Sequence, residues 1–208
     1  MKRNTIAVLV AAVAFFGIAL SAQAADIVDE WASVKAPPPP ALKPVTVDPS
    51  TTALLMLDFM NQNCGKRPRC IATLPAMKKL LGEARAHKVM VVYSIIANTT
   101  AADVMADVAP LAAEPHVQSG PNKFRNVELE KILKDKGITT VIVTGTAANG
   151  AVLQTAVGAV GRGMNVIVPV DGLSSIDAYA DLSTVYTFSS APALSVKGTL
   201  TRSTMIKF

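Results

Sequence analysis

From Thr51 onward, continuous apolar runs alternate with segments in which apolar residues recur at helical spacing. "TALLMLDF" (52–59) is apolar until it stops at an acid, the look of a strand buried on both faces of a sheet. "LPAMKKLLGEARAH" (74–87) has apolar positions one helical turn apart with charges opposite, and predicts a helix. "KVMVVYSII" (88–96) predicts the next strand, and "NVELEKILKDKG" (126–137) a helix capped by Gly137. "ITTVIVTG" (138–145), "AVLQTAVGAVGRG" (151–163) and "MNVIVPVDG" (164–172) read as strand, helix and strand. "DLSTVYTFSSA" (181–191) predicts a helix and "SVKGTLTRSTMI" (195–206) holds a short last strand. Strands alternating with helices predict an α/β fold: a three-layer α/β/α arrangement around a mostly parallel sheet.

In such a sheet ligands bind beyond the carboxyl ends of the strands. That directs attention to Asp58, the segment after Ile96, the turn at 145–151 and Asp171. No glycine-rich phosphate loop and no GxGxxG follows the first strand, so no nucleotide cofactor is expected.

The first 50 residues follow neither pattern. Lys2 and Arg3 precede an apolar run from Ile6 to Leu20 and then Ser21-Ala22-Gln23-Ala24, which reads as a secretory signal peptide (1–24) cut after Ala24. Residues 25–50, with Pro37 to Pro40 at their centre, read as a proline-rich arm, because four prolines in a row fit neither helix nor ladder. The domain proper is then 51–208.

Half of the 208 residues are apolar and 17% are charged, which excludes extended disorder. Residues 1–24 carry two cations and no acids, so the 20 Lys+Arg fall to 18 against 15 Asp+Glu in the mature chain, a balance of +3. That balance does not suggest nucleic acid. No later segment is long and apolar enough to span a bilayer, so no membrane association is expected after cleavage, and the periplasm or the exterior is the expected location. Cys64 and Cys70 are the only cysteines; an even count in an exported chain favours a disulfide, and with no further Cys or His nearby a metal pair is not expected.

The most unusual stretch is "VTGTAANGAVLQTA" (143–156). It leaves an apolar strand, turns on small residues and enters a helix, the place where α/β enzymes present a nucleophile, yet the residue at that point is Ala151. "ALLMLDFMNQ", "KFRNVELEKIL" and "VIVTGTAANGAVLQTAVGAVGRGMNVIVPVDG" together resemble the isochorismatase-like hydrolase superfamily, the cysteine hydrolases that include nicotinamidases and N-carbamoylsarcosine amidase. The resemblance covers about residues 51–190.

It implies a site of Asp, Lys and Cys in which the carboxylate takes the thiol proton, the lysine supports the charges, and the thiolate forms an acyl-enzyme. Asp58 matches the acid. Lys123 is the candidate lysine, with a surface lysine as the alternative, since it directly precedes Phe124 instead of standing several residues ahead of it. The cysteine position falls on Ala151. Thr146, Ala147, Asn149 and Gly150 match the turn that binds substrate or an oxyanion. The resemblance also implies a homo-oligomer. Nicotinamidases hold a metal with Asp and His after the second strand; here "SIIANTTAADVM" offers only Asp103, so no metal is expected.

A methyl group cannot attack an amide, so cysteine chemistry is excluded. Isochorismatases proper resemble this arrangement: a small residue replaces the cysteine, because a vinyl ether is cleaved by protonation. Three readings stay open. The chain is an exported hydrolase using Asp58 and Lys123 on a small anionic substrate, or an inactive family member that binds a small molecule, or an engineered Cys-to-Ala variant of an amidohydrolase. The basic run Lys66-Arg67-Pro68-Arg69 either rims the pocket or is an ordinary solvated loop. His116, Ser174 and Ser175 are weaker candidates for proton transfer or a replacement nucleophile.

Overall fold

The computed structural model describes residues 26–208, so the segment read as a signal peptide and the expected cut after Ala24 lie outside the described residues. The chain divides into two units at Pro38–Pro39. In the first, Asp26 opens the short helix α1 (Ile27–Glu30) with a capping box closed by Asp29.

The second unit carries the sheet. In chain order its elements are β1 (Val45–Thr46), β2 (Thr52–Leu57), α2 (Pro68–Ala86), β3 (Met90–Ile95), β4 (His116–Gln118), α3 (Val127–Asp135), β5 (Thr140–Thr146), α4 (Leu153–Val160), β6 (Asn165–Pro169), β7 (Leu173–Ser174), α5 (Ala178–Ser190), α6 (Pro192–Lys197), β8 (Gly198–Thr201) and β9 (Ile206–Lys207). The main sheet runs β4-β3-β2-β5-β6-β8 with every pair parallel, and β7 joins the end of β5 beyond the point where β6 diverges. β1 pairs in parallel with β9, which ties part of the proline-rich segment to the C-terminus. The architecture is the α/β fold with a mostly parallel central sheet that the alternation predicted.

Every residue of β2 is buried, and its side chains divide by alternation between two apolar cores. Leu55 and Leu57 join Val141, Val143, Leu129, Leu133 and Ala156 on the α3 and α4 side. Leu54 and Met56 join Ile142, Leu74, Met77 and Leu81 on the α2 side. A strand covered on both faces loses the polar-apolar alternation of an exposed sheet, which is why the sequence shows an unbroken run.

Two boundaries differ from the pattern-based expectation. The helix expected over 74–87 starts at Pro68, because that proline occupies the first turn, where no amide is needed, and Pro75 lies inside the helix. The Cys64–Cys70 stretch is therefore a 3-10 turn (Cys64–Lys66) leading into the first turn of α2. The segment around His116, to which the apolar pattern assigns no element, forms the edge strand β4 on β3.

Cys64 and Cys70 form a disulfide, with both residues fully buried in the α2-side core. Closing so short a loop, a sequence separation of 6, is worth about 2 kcal/mol through the entropy of the unfolded chain. We therefore expect a Cys64→Ala/Cys70→Ala double variant to lose about that much stability in urea unfolding; an unshifted midpoint would refute the estimate.

Candidate active site

β2 ends at Leu57 in register with Gly145 of β5, so Asp58 emerges at the carboxyl end of the sheet between β3 and β5. Asp58 has φ of 56°, a left-handed conformation that aspartate accepts more readily than most residues. The close approach of the two strand ends depends on Gly145, where a Cβ would run into the Leu57 carbonyl. From β3, Ser94 fixes the acid: its Oγ donates to Asp58 Oδ1 at 2.6 Å, and the Asp58 amide donates to the Ser94 carbonyl at 3.2 Å.

Lys123 completes the centre. Its Nζ donates to both oxygens of Asp58, at 2.9 Å and 2.8 Å, and the side chains are 1% and 9% exposed. Both carboxyl oxygens thus accept from one ammonium, the arrangement of a paired carboxylate.

The segment carrying Lys123 reaches the acid because it is docked on α4. The Lys123 amide donates to Thr155 Oγ1 (3.1 Å), and Thr155 Oγ1 donates in turn to the Pro121 carbonyl (3.2 Å). Gly158 lets it lie close: a Cβ there would sit 2.7 Å from Asn122 Oδ1 and 3.0 Å from the Phe124 ring. Arg162 then covers Phe124, its guanidinium 4.6 Å from the ring centre, while donating to the Phe124 carbonyl and to Glu130. Lys134 and Arg162 beside Glu130 hold its carboxyl below the ordinary range.

The turn after β5 is a single π-helical turn, Ala148–Val152, entered through a cis Thr146–Ala147 peptide bond. It opens α4 at the same sheet edge as Asp58. Ala151 is 4% exposed and belongs to the α4-side apolar core with Val152 and Phe124. The Gly150 and Val152 amides donate to the Ala147 carbonyl. The Ala148 amide donates to Ser175 Oγ (3.0 Å), which itself donates to Asn149 Oδ1 (3.2 Å), so Ser175 and Asn149 brace the turn. Thr146, 1% exposed, accepts a hydrogen bond from Arg67.

The other residues read as candidates lie elsewhere. Asp171 accepts from the amide and hydroxyl of Ser203 and ties the C-terminal segment down. His116 is exposed on the edge strand. Asp103 accepts from the Thr100 amide and from Gln62, contacts that hold its carboxyl below the ordinary value. Ser94, Thr155 and Gly158 escaped the sequence reading, although Ser94 is a polar residue set in an otherwise apolar stretch.

A family model described as the Isochorismatase domain matches residues 52–187, and the chain belongs to that family of isochorismatase-like hydrolases. Among solved structures it is similar to a cysteine hydrolase from Pseudomonas syringae pv. phaseolicola 1448A, with TM-score 0.68 and 21% identity over 79% of this chain and 94% of that one. It is similar to N-carbamoylsarcosine amidase from Thermoplasma acidophilum, with TM-score 0.63 and 22% identity over 74% and 96% of the two chains. It also resembles nicotinamidase from Bacillus subtilis, with TM-score 0.66 and 15% identity over 73% and 99%. No curated protein matches the chain in sequence.

Removing one partner of a buried ion pair strands the other charge, at a cost of about 3–5 kcal/mol. Asp58→Asn and Lys123→Met are each expected to destabilise the protein on that scale in urea unfolding, and the double variant by clearly less than their sum. Additive losses would show that the two groups are not coupled in the folded protein.

Proposed function

We propose that this chain is an exported hydrolase that cleaves a small anionic substrate by acid catalysis, without a cysteine nucleophile. What supports this reading is the contact of Lys123 Nζ with both oxygens of a buried Asp58 at 2.8 and 2.9 Å, on a sheet edge where Ala151 offers no thiol. Such a pair can hold and move a proton but cannot form an acyl-enzyme.

With an enol ether as substrate, a proton passes from Lys123 Nζ through Asp58 to the alkene carbon, forming a C–H bond and an oxocarbenium ion. Water adds to that cation and gives its proton back to the pair. The resulting hemiketal breaks its C–O bond to release an alcohol and a ketone. No bond forms to the protein at any step, so a methyl group at position 151 is no obstacle.

One observation favours a second reading, a binding module without turnover: the Ala151 methyl is packed into the apolar core. The homo-oligomer implied by the resemblance belongs to the proposal too, and a monomer mass in sedimentation equilibrium would remove it.

Purified residues 25–208 should hydrolyse members of a panel of enol ethers, amides and carbamoyl compounds, with activity centred on the enol ethers. Asp58→Asn should reduce that rate by at least about a hundredfold, the scale of a lost general acid. A silent wild type, with amidase activity appearing only in Ala151→Cys, would replace the hydrolase by the binding module.

A further inference from the structure

The Lys123 segment brings the Asp58–Lys123 pair to the α4 side of the sheet edge. The α2 side of the same edge carries a second group of polar residues, and it centres on Arg67. The cations of the run 66–69 have separate fates. Lys66 is exposed at the end of its 3-10 turn. Arg69 is committed to Asp181, with contacts of 2.9 and 2.6 Å. Arg67 is half-buried and turns to the sheet, where its guanidinium donates to Thr146 Oγ1 at 3.0 Å. Among the described residues no carboxylate pairs with Arg67, so a guanidinium with five donors has one neutral acceptor.

Ser174 supplies the independent observation. It is 1% exposed, and its Oγ has no hydrogen-bond partner among the described residues. A buried hydroxyl in that state is costly and calls for an explanation. Ser174 is the register partner of Thr146 in the parallel β5–β7 pair, and register partners project from the same face of a sheet. That face is the α2 side: Leu173 before it lies in the α3/α4-side core, and Thr144, two residues ahead of Thr146, contacts Met56 of the α2-side core. Thr146 uses its oxygen as an acceptor for Arg67, which leaves its O–H to donate.

We propose that Arg67, Thr146 and Ser174 form a carboxylate-binding subsite that holds the anionic group of the ligand beside the Asp58–Lys123 pair. Each of the three side chains has an N–H or O–H left to donate. The planar guanidinium fork matches the two oxygens of a carboxylate, and the two hydroxyls cap its remaining lone pairs. The neighbouring register of Leu57 with Gly145 sets the subsite one strand away from Asp58. The disulfide between Cys64 and Cys70 closes the loop on either side of Arg67 and holds the guanidinium in place before the ligand arrives. The subsite rests on the anionic substrate of the hydrolase reading, and it names the residues that would recognise that charge.

The test uses malonate as probe and malonamide as its neutral isostere, titrated into the mature protein and followed by two-dimensional NMR of the backbone amides and the Arg67 Nε–H. Malonate should give saturable shifts at Arg67, Thr146 and Ser174, and malonamide none. Arg67→Gln should weaken malonate binding at least about tenfold, Arg67→Lys by less, and Ser174→Ala by a few fold, in line with the loss of charge-assisted hydrogen bonds. Arg69→Gln, which removes only the contact to Asp181, should bind as wild type does. Absence of saturable shifts in wild type, equal binding of malonamide, or full affinity in Arg67→Gln would each overturn the subsite. Arg67-dependent malonate binding by a protein that hydrolyses nothing would uphold the subsite and retire the hydrolase. Hydrolysis of an anionic substrate that is indifferent to Arg67→Gln would retire the subsite and keep the hydrolase.

Discussion

A lysine ammonium and an aspartate carboxylate buried against each other set the terms for this fold. Removing two charges from water costs several kcal/mol per ion, and a low-dielectric interior returns that only when the geometry is good and the remaining hydrogen-bonding capacity is met. Here Lys123 reaches both oxygens of Asp58, Ser94 donates to one of them, and the Ser94 carbonyl takes the Asp58 amide. Much of the surrounding structure can be understood as holding those few atoms in place. The left-handed backbone at Asp58 turns the acid off the strand end, Gly145 lets β2 and β5 converge, and Thr155, Gly158 and Arg162 fasten the Lys123 segment to α4.

The pair is also what gives the small residue at position 151 its meaning. On the hydrolase reading proposed above, a site without a thiol still possesses a buried proton store, because Asp58 and Lys123 are supported by β2, β3 and α4. The turn has kept its own bracing through Ser175 and Asn149. Chemistry that needs protonation and water survives such a loss; chemistry that needs a covalent intermediate does not.

Polar groups at the sheet edge fall on two sides. On the α4 side Lys123 pairs with Asp58 and Arg162 with Glu130, beside an apolar core. On the α2 side a guanidinium and a buried hydroxyl are left with spare donors. On the proposed reading, that asymmetry separates the part that moves a proton from the part that recognises charge. The same helix, α2, that carries Cys70 into the core starts one residue after Arg67, so the disulfide and the candidate recognition residue meet in one short loop.

The alternation of apolar runs with helical spacing determined the parallel α/β fold, because strands buried on both faces must be apolar throughout and helices packed on them must be apolar on one side. The acid ending the first strand and the alanine in the β5–α4 turn were legible for the same reason: strand ends and turns are local, and their residues can be counted along the chain. Lys123 was ambiguous in sequence because its reach depends on how closely its segment approaches α4, and that distance is set by Gly158 and Thr155, thirty-odd residues away in the chain. Pro68 and Pro75 both resemble helix-start signals, and only packing decided that α2 begins at the first. The sorting of Lys66, Arg67 and Arg69 was likewise invisible, since three adjacent cations look alike in a sequence. It was the tertiary fold, by placing Asp181 beside one and Thr146 beside another, that assigned them different work.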